Sequence, residues 1–221
     1  MSFNSLRTTS IATFALSVVA FAQPPATVDT QYQIRYVSNL NLGDSVINIT
    51  NSGARGAGLA AGTTAGTTGA ICVNVYAFSP DEQMISCCSC PVTPNGLVSL
   101  SARRDLVNTT LTPAVPTSIV VKLLATVPVG STCSGAAASP GELTPGMLAW
   151  GTTVHAGALP GSTPVVTETP FLPATLSLGT AGLDIGELGR LRQLCTFINA
   201  NGSGFGICST CRLGGLGAGR L

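Results

Sequence analysis

Eight cysteines are the residues of this chain whose type and spacing suit chemistry, as disulfide partners, metal ligands or redox groups. An even number of cysteines favours disulfides when a chain is exported to an oxidising compartment. Eight cysteines can pair in about a hundred ways, so the turns of the chain must narrow the choice. They are Cys72, Cys87, Cys88, Cys90, Cys133, Cys195, Cys208 and Cys211.

A turn at residues 79–82 predicts a hairpin that carries the first four of these cysteines. In a regular hairpin Cys72 lies diagonal to Cys87, and a one-residue bulge places it opposite Cys88 instead. Either pair then bridges the two strands. Because side chains alternate along a strand, Cys88 and Cys90 share one face and Cys87 lies on the other.

Four of the cysteines also suit a different chemistry, as thiolates at metal-ligand spacing. Cys88, Cys90, Cys208 and Cys211 could hold zinc or an iron–sulfur cluster, or exchange disulfides. An oxidising compartment favours structural bridges over both alternatives. Arg212 stands where a c-type haem motif requires histidine. We expect no cofactor, and an exported metal-binding or thiol-redox protein remains the alternative.

The first 22 residues have the pattern of a secretory signal peptide. Arg7 gives a positive start, the run from Ile11 to Phe21 is largely apolar, and Ala20-Phe21-Ala22 offers a cleavage site before Gln23. The apolar run is shorter than the roughly 20 residues of a spanning helix. We therefore expect a protein at the cell surface or beyond, with no membrane span after cleavage.

The charge balance points to self-association. Charged residues make up only 9% of the chain, with 10 basic and 9 acidic side chains. Cleavage removes Arg7 and leaves a mature chain of zero net charge, which lacks the repulsion that keeps proteins dispersed. The basic residues are scattered, which excludes a nucleic-acid partner. The predicted partners are copies of the same chain.

No catalytic constellation is recognisable, so we expect that the protein is not an enzyme. His155 is the one histidine, it lies in a strand-like run, and no Gly-x-Ser-x-Gly motif accompanies it. A secreted binding module that contacts its ligand through Trp150 or Tyr76 is a further alternative, although single aromatic residues more often pack in a core.

Short alternating runs bounded by proline and glycine turns predict a mainly β protein. Many strands without intervening helices favour an antiparallel, immunoglobulin-like β-sandwich. The candidate strands are Tyr32–Val37, Ser45–Thr50, Ile71–Phe78, Gln83–Cys90, Leu97–Ser101, Pro116–Val127, Met147–Ala156 and Pro164–Phe171.

One helix is predicted near the carboxyl end. Asp184 should cap it with Glu187 three residues on, and Asn201-Gly202 should end it. Ile185, Leu188, Leu191, Leu194 and Ile198 form its apolar stripe, with Arg190 and Arg192 toward solvent. The glycine-rich turn that follows could then return Cys208 or Cys211 to Cys195.

Residues 23–221 are expected to form a single domain. Asn51–Gly69 consists mainly of small residues and predicts a mobile loop or arm, and residues 213–221 form a glycine-rich tail. We expect a structural subunit of a filament or coat, in which this arm or the segment Gln23–Thr30 adds to a strand edge of the next copy.

Three stretches of the chain resemble uncharacterised exported bacterial proteins. They are Cys72–Pro80, Cys87–Leu97 and Leu111–Ser118, and the ending Asn201–Cys211 is similar as well. The resemblance covers the mature chain from Tyr32 onward. It implies export and a shared cysteine framework, and no activity comes with it.

Overall fold

The computed structural model describes residues 30–57, 69–107, 114–130, 132–157, 162–180, 184–203, 206–208 and 212–213. Several predicted features lie outside the described residues. They are the signal peptide, residues 23–29 of the segment expected to add to a neighbouring copy, residues 58–68 of the small-residue segment, and the tail from residue 214.

Ten strands and one α-helix form the described part of the chain. All eight predicted strands are confirmed, with ends that shift by a few residues at most. A π-helical turn at Ala102–Val107 and a 3-10 turn at Pro140–Glu142 were not predicted. The elements are β1 (Tyr32–Val37), β2 (Val46–Asn51), β3 (Ile71–Phe78), β4 (Met84–Val92), β5 (Leu97–Ser101), β6 (Ile119–Thr126), β7 (Met147–His155), β8 (Val165–Pro170), β9 (Leu172–Pro173), α1 (Gly186–Ala200) and β10 (Arg212–Leu213).

The strands form two antiparallel sheets. Sheet 1 has the order β4-β3-β6-β1-β9, and sheet 2 has the order β10-β5-β2-β7-β8. Strand β1 contacts β7 across the sandwich, and β4 contacts β5. Strands β8 and β9 therefore lie at one end of the sandwich and β4 lies at the other.

Two apolar cores hold these layers together. The larger core lies between the sheets and includes Val75, Leu100 and Leu123. The smaller core lies between sheet 1 and α1 and includes Tyr76, Leu188 and further buried side chains. Full burial of one such side chain stabilises the fold by about 1.5–3 kcal/mol. Strand β3 is buried along its whole length because it is covered on both faces.

The predicted helix is confirmed, but its capping is not as expected. Ile185 is the N-cap residue and is itself exposed. Asp184 Oδ1 accepts a hydrogen bond from the Gly186 N–H at 3.0 Å. The Glu187 carboxylate does not reach back to the cap. It pairs with Lys122 of β6, and that ion pair ties the helix to sheet 1.

The helix also shows which arginine faces solvent. Arg190 is exposed as predicted, with its guanidinium 5.7 Å from the centre of the Phe78 ring. Arg192 is partly buried, contrary to the prediction. It follows the buried Leu188 by four residues, so it lies beside the apolar stripe instead of opposite to it.

The segment Asn51–Gly69 is closed at its base. Asn51 belongs to β2 and is fully buried, and its side-chain amide donates to the carbonyls of Gly69 and Val92, each at 3.0 Å. Arg55 donates to the Ala70 carbonyl at 2.9 Å. Both ends of the segment are thus held together, as in a loop. Residues 58–68 lie outside the described residues.

Candidate functional site

The edge of sheet 1 formed by β4 is cross-linked by disulfides. Cys87 is bonded to Cys195 of α1, and Cys88 to Cys208. Between them, the Cys87 N–H donates to the Gly206 carbonyl at 2.7 Å. The segment 206–208 therefore pairs with β4 at Cys87 and covers the middle of the edge that β4 would otherwise expose.

A third disulfide joins Cys72 at the start of β3 to Cys133 in the loop after β6. Cys90 is buried and is disulfide-bonded as well. The expectation of disulfides is thus met within the described part of the chain. Cys211 lies outside it.

The predicted bridge within the β3–β4 hairpin is wrong. The extra residue of the bulge lies in β4, between the pairs Phe78–Met84 and Ala77–Ser86. The register therefore moves in the direction opposite to the one expected, and Cys72 lies opposite Pro91. Neither Cys87 nor Cys88 comes within reach of Cys72.

A bridge from Cys195 to Cys208 or Cys211 does not form, because Cys195 is bonded to Cys87. Side chains of β4 alternate, so Cys87 packs in the smaller core beneath α1 while Cys88 packs against the larger core. Cys195 meets the first of these, and Cys208 meets the second from the strand edge. The predicted opposite faces of Cys87 and Cys88 are confirmed.

These cross-links close long stretches of chain. The bridges span 61, 108 and 120 residues. In the loop-entropy description, closing a loop of this length stabilises the fold by about 4–5 kcal/mol, although overlapping loops do not add fully. Tyr76 packs beside them, and its hydroxyl donates to the Gly135 carbonyl at 2.9 Å. Burial raises the pKa of Tyr76.

The alternative metal cluster is not assembled from thiolates in this structure. Cys88 and Cys208 are bonded to each other, so their sulfurs are not free to ligate a metal as thiolates. In the part of the chain that the structure describes, no group of three or more potential ligand residues converges.

The opposite end of the sandwich carries the second candidate site, the open edge β8. This strand of six residues pairs with β7 and has no strand on its other side among the described residues. Five of its side chains are exposed, including Val165 and Val166. Exposure on both faces shows that sheet 1 leaves most of β8 uncovered, and its Arg35 reaches the strand at Thr169.

The hydrogen bonds of β7 show which backbone groups of β8 face outward. The Phe171 N–H donates to the Ala149 carbonyl at 2.8 Å. Since antiparallel strands direct alternate residues toward each partner, the backbone groups of Val166 and Glu168 point away from β7. Pro170 also occupies an outward position, where its missing N–H costs no ladder bond.

Arg35 of β1 links the two sheets at this same end. Its Nη2 donates to Thr153 Oγ1 at 2.8 Å and to Thr169 Oγ1 at 3.1 Å, and its Nη1 donates to the Thr152 carbonyl at 3.2 Å. Sequence reasoning missed this residue, because Arg35 alternates with apolar residues like any polar residue on a solvent-facing strand.

The residues considered for catalysis and ligand contact lie apart from each other. His155 is exposed at the end of β7, with its Nε2 2.8 Å from Thr167 Oγ1. Tyr76 is fully buried, which contradicts the idea that it contacts a ligand. Trp150 is partly buried in β7.

Comparison with family models, curated proteins and solved structures finds no match for this chain. In the described residues, no helix has the length and apolar character needed to cross a membrane. Three intramolecular disulfides are compatible with an extracellular protein.

Proposed function

We propose that this protein is a secreted, disulfide-stabilised structural subunit that associates with copies of itself through β8. The observation that carries the proposal is the open edge β8, which is exposed on both faces. Natural proteins usually protect such an edge with lysine, bulges or covering segments, because it readily pairs with another strand.

The chemistry of β8 suits addition of another strand. The outward N–H group of Val166 is available to a neighbouring backbone, and the exposed valines offer apolar area on both faces. Glu168 is the one charged residue of the strand, and its carboxylate accepts a hydrogen bond from Asn48 at 3.2 Å. Little charge therefore opposes pairing at this edge.

A second copy of the chain is the occupant that the charge balance favours. A mature chain without net charge has no long-range repulsion against its own copies. Two β8 strands pairing about a twofold axis give a closed dimer, whereas addition of residues 23–30 to β8 of the next copy gives an open chain. The base of the segment Asn51–Gly69 is closed, which makes it the less suitable donor.

Export and immunoglobulin-like proportions are part of the same proposal. The pattern of residues 1–22 supports export, and the disulfides are compatible with it. Two antiparallel sheets of five strands each and a sandwich core support the immunoglobulin-like comparison.

A charge placed on the open edge tests the proposal. Val166 is 58% exposed in β8, and Val129 is 59% exposed in a loop outside the sheets. Val166→Lys and Val129→Lys therefore add the same charge at equal exposure. The measurement is the particle mass of the chain from Gln23 onward, by size-exclusion chromatography with light scattering over a range of concentrations.

We expect the unmodified chain and Val129→Lys to associate with rising concentration, and Val166→Lys to remain a monomer. A monomeric unmodified chain at high concentration would overturn the proposal. Equal behaviour of the two lysine variants would also overturn it, because the edge would then have no special role. Deletion of residues 23–29 distinguishes the donors, since it abolishes association only if that segment supplies the strand.

A further inference from the structure

Arg35 carries a positive charge into the sandwich, where the Glu168 carboxylate of β8 acts on it only from beyond ion-pair distance. The residue is 7% exposed. Its guanidinium donates to two threonine hydroxyls and one carbonyl, all uncharged. None of the ion pairs among the described residues includes it. A buried guanidinium normally meets a carboxylate, because neutral acceptors replace only part of its lost hydration.

The position of this guanidinium depends on a glycine. A Cβ atom added at Gly151 of β7 would lie 2.1 Å from Arg35 Nη1 and 2.7 Å from Cζ. Any side chain at this position would displace the guanidinium, so Gly151 provides the space in which Arg35 lies against β7. Thr153 and Thr169 hold its two sides.

A groove of about 440 Å³ opens beside Arg35, where the chain crosses from β8 to β9. Arg35 and Thr169 line it together with apolar side chains. Tyr36 is 62% exposed and Leu172 is 65% exposed, so apolar area faces solvent next to the positive charge. Arg35 is therefore the one basic residue that lines the groove, beside an aromatic and an aliphatic side chain.

Beyond Ile34, the edge of β1 that faces the groove has no neighbouring strand among the described residues. Strand β9 pairs with Gln33 and Ile34 of β1, whereas Phe171, the residue before β9, is still bonded to β7 of sheet 2. The Ala174 N–H donates to the Tyr32 carbonyl at 3.1 Å. By alternation, the backbone groups of Tyr36 point to the same side, beyond the end of β9.

We propose that this groove binds the carboxyl-terminal residue of an extended peptide with an apolar last side chain. The terminal carboxylate approaches Arg35, the last side chain packs against Tyr36 and Leu172, and the peptide backbone bonds to that of Tyr36. This pairing combines a charge-assisted hydrogen bond with addition of a short strand.

Each part of the groove restricts the class of ligand that can bind. One guanidinium with apolar walls suits a single negative charge, whereas a phosphate group calls for several donors. The backbone of Tyr36, beyond the end of β9, favours a peptide over a simple carboxylic acid, which has no main chain to pair. The groove touches β8 only at its last two residues, Thr169 and Pro170, whereas the N–H groups proposed for self-association belong to Val166 and Glu168, so this inference does not depend on self-association.

Peptide binding to the unmodified protein, followed by backbone amide NMR shifts, tests the inference. The probe is acetyl-Gly-Ala-Leu with a free carboxylate, and the matched control is the same peptide with a carboxamide end. We expect the free acid to bind about tenfold or more tightly, because a hydrogen bond to a charged group is lost in the amide. The shifts should centre on Tyr36 and Leu172.

Two further comparisons test the apolar wall and the backbone contact of the groove independently. Leu172→Ser, at an exposed side chain, should weaken binding of the free acid, whereas Leu42→Ser, at an exposed leucine that does not line the groove, should not. 4-Methylpentanoate should bind more weakly than the peptide. Equal binding of acid and amide, shifts away from the groove, or no binding would overturn the inference. Equal binding of 4-methylpentanoate would overturn its peptide part.

Discussion

The sheet edges at the two ends of this sandwich differ, because one is cross-linked and the other is exposed. At the β4 end, two disulfides and the segment 206–208 cover the edge and join it to the helix. At the β8 end, a strand of six residues is exposed on both faces, and no disulfide described in the structure reaches it. The chain therefore fixes one edge covalently, and its described residues place no strand beside the other.

This difference separates stability from association. The cross-linked end contributes most of the constraint on the unfolded chain, since its bridges close the longest loops. The open end contributes pairing groups whose loss would not unfold the domain. Substitutions at the two ends should thus change different properties, and that separation can be measured.

Removal of a bridge at the cross-linked end should have the largest effect. The double variant Cys87→Ser/Cys195→Ser releases the helix from β4, and we expect a loss of about 4–5 kcal/mol in the free energy of unfolding. Urea unfolding of the native and variant chains measures it. Association through β8 should persist wherever the variant is folded. A folded variant that has lost association would contradict the separation of the two ends.

A methyl group at the open end should have the next largest effect. Gly151→Ala places a carbon against the Arg35 guanidinium, and overpacking of this kind costs about 1–3 kcal/mol. Gly141→Ala is the matched control, because a Cβ atom there meets nothing within 4 Å. The unfolding midpoints of the two variants should differ clearly. Equal midpoints would show that the guanidinium moves aside without cost.

Alkaline pH should weaken the smaller core, between sheet 1 and α1, by a smaller amount. Desolvation by burial raises the pKa of Tyr32 and Tyr76 in the folded protein. Above the ordinary tyrosine pKa of about 10 the unfolded chain releases protons that the folded chain retains, so stability is full below that pH and falls above it. Tyr76→Phe should make the fall less steep.

The control for that measurement is a tyrosine outside the cores. Tyr36→Phe removes a phenol at an exposed position of β1. Unfolding by urea at several pH values from neutral to strongly alkaline gives both slopes. A slope that Tyr76→Phe leaves unchanged would mean that the buried phenol is not the group responsible.

The strands could be predicted from the sequence because their signals are local. Alternation and flanking turns gave β1, β3 and β5 with their observed ends, and the helix followed from its apolar spacing. The predicted N-terminal cap of the helix was wrong, because Lys122 of a distant strand competes for Glu187, whereas the predicted end at Asn201 is confirmed. Contacts between distant segments cannot be predicted from the local sequence pattern.

The disulfide pairing and the open edge could not be predicted for the same physical reason. One residue of register in the hairpin decides what Cys72 faces, and that register is set by a bulge in β4. The order of strands within a sheet decides whether β8 is an edge. The alternating pattern around Arg35 does not show that β8 and β9 leave its groove uncovered.

Hydrogen exchange at the two edges, measured by mass spectrometry at low and high protein concentration, tests the central claim most directly. We expect the amides of Val166 and Glu168 to exchange quickly when dilute and to become protected on concentration, while residues 84–92 stay protected throughout. Exchange at β8 that does not change with concentration, in a sample whose mass increases, would show that the copies meet elsewhere and would contradict the account.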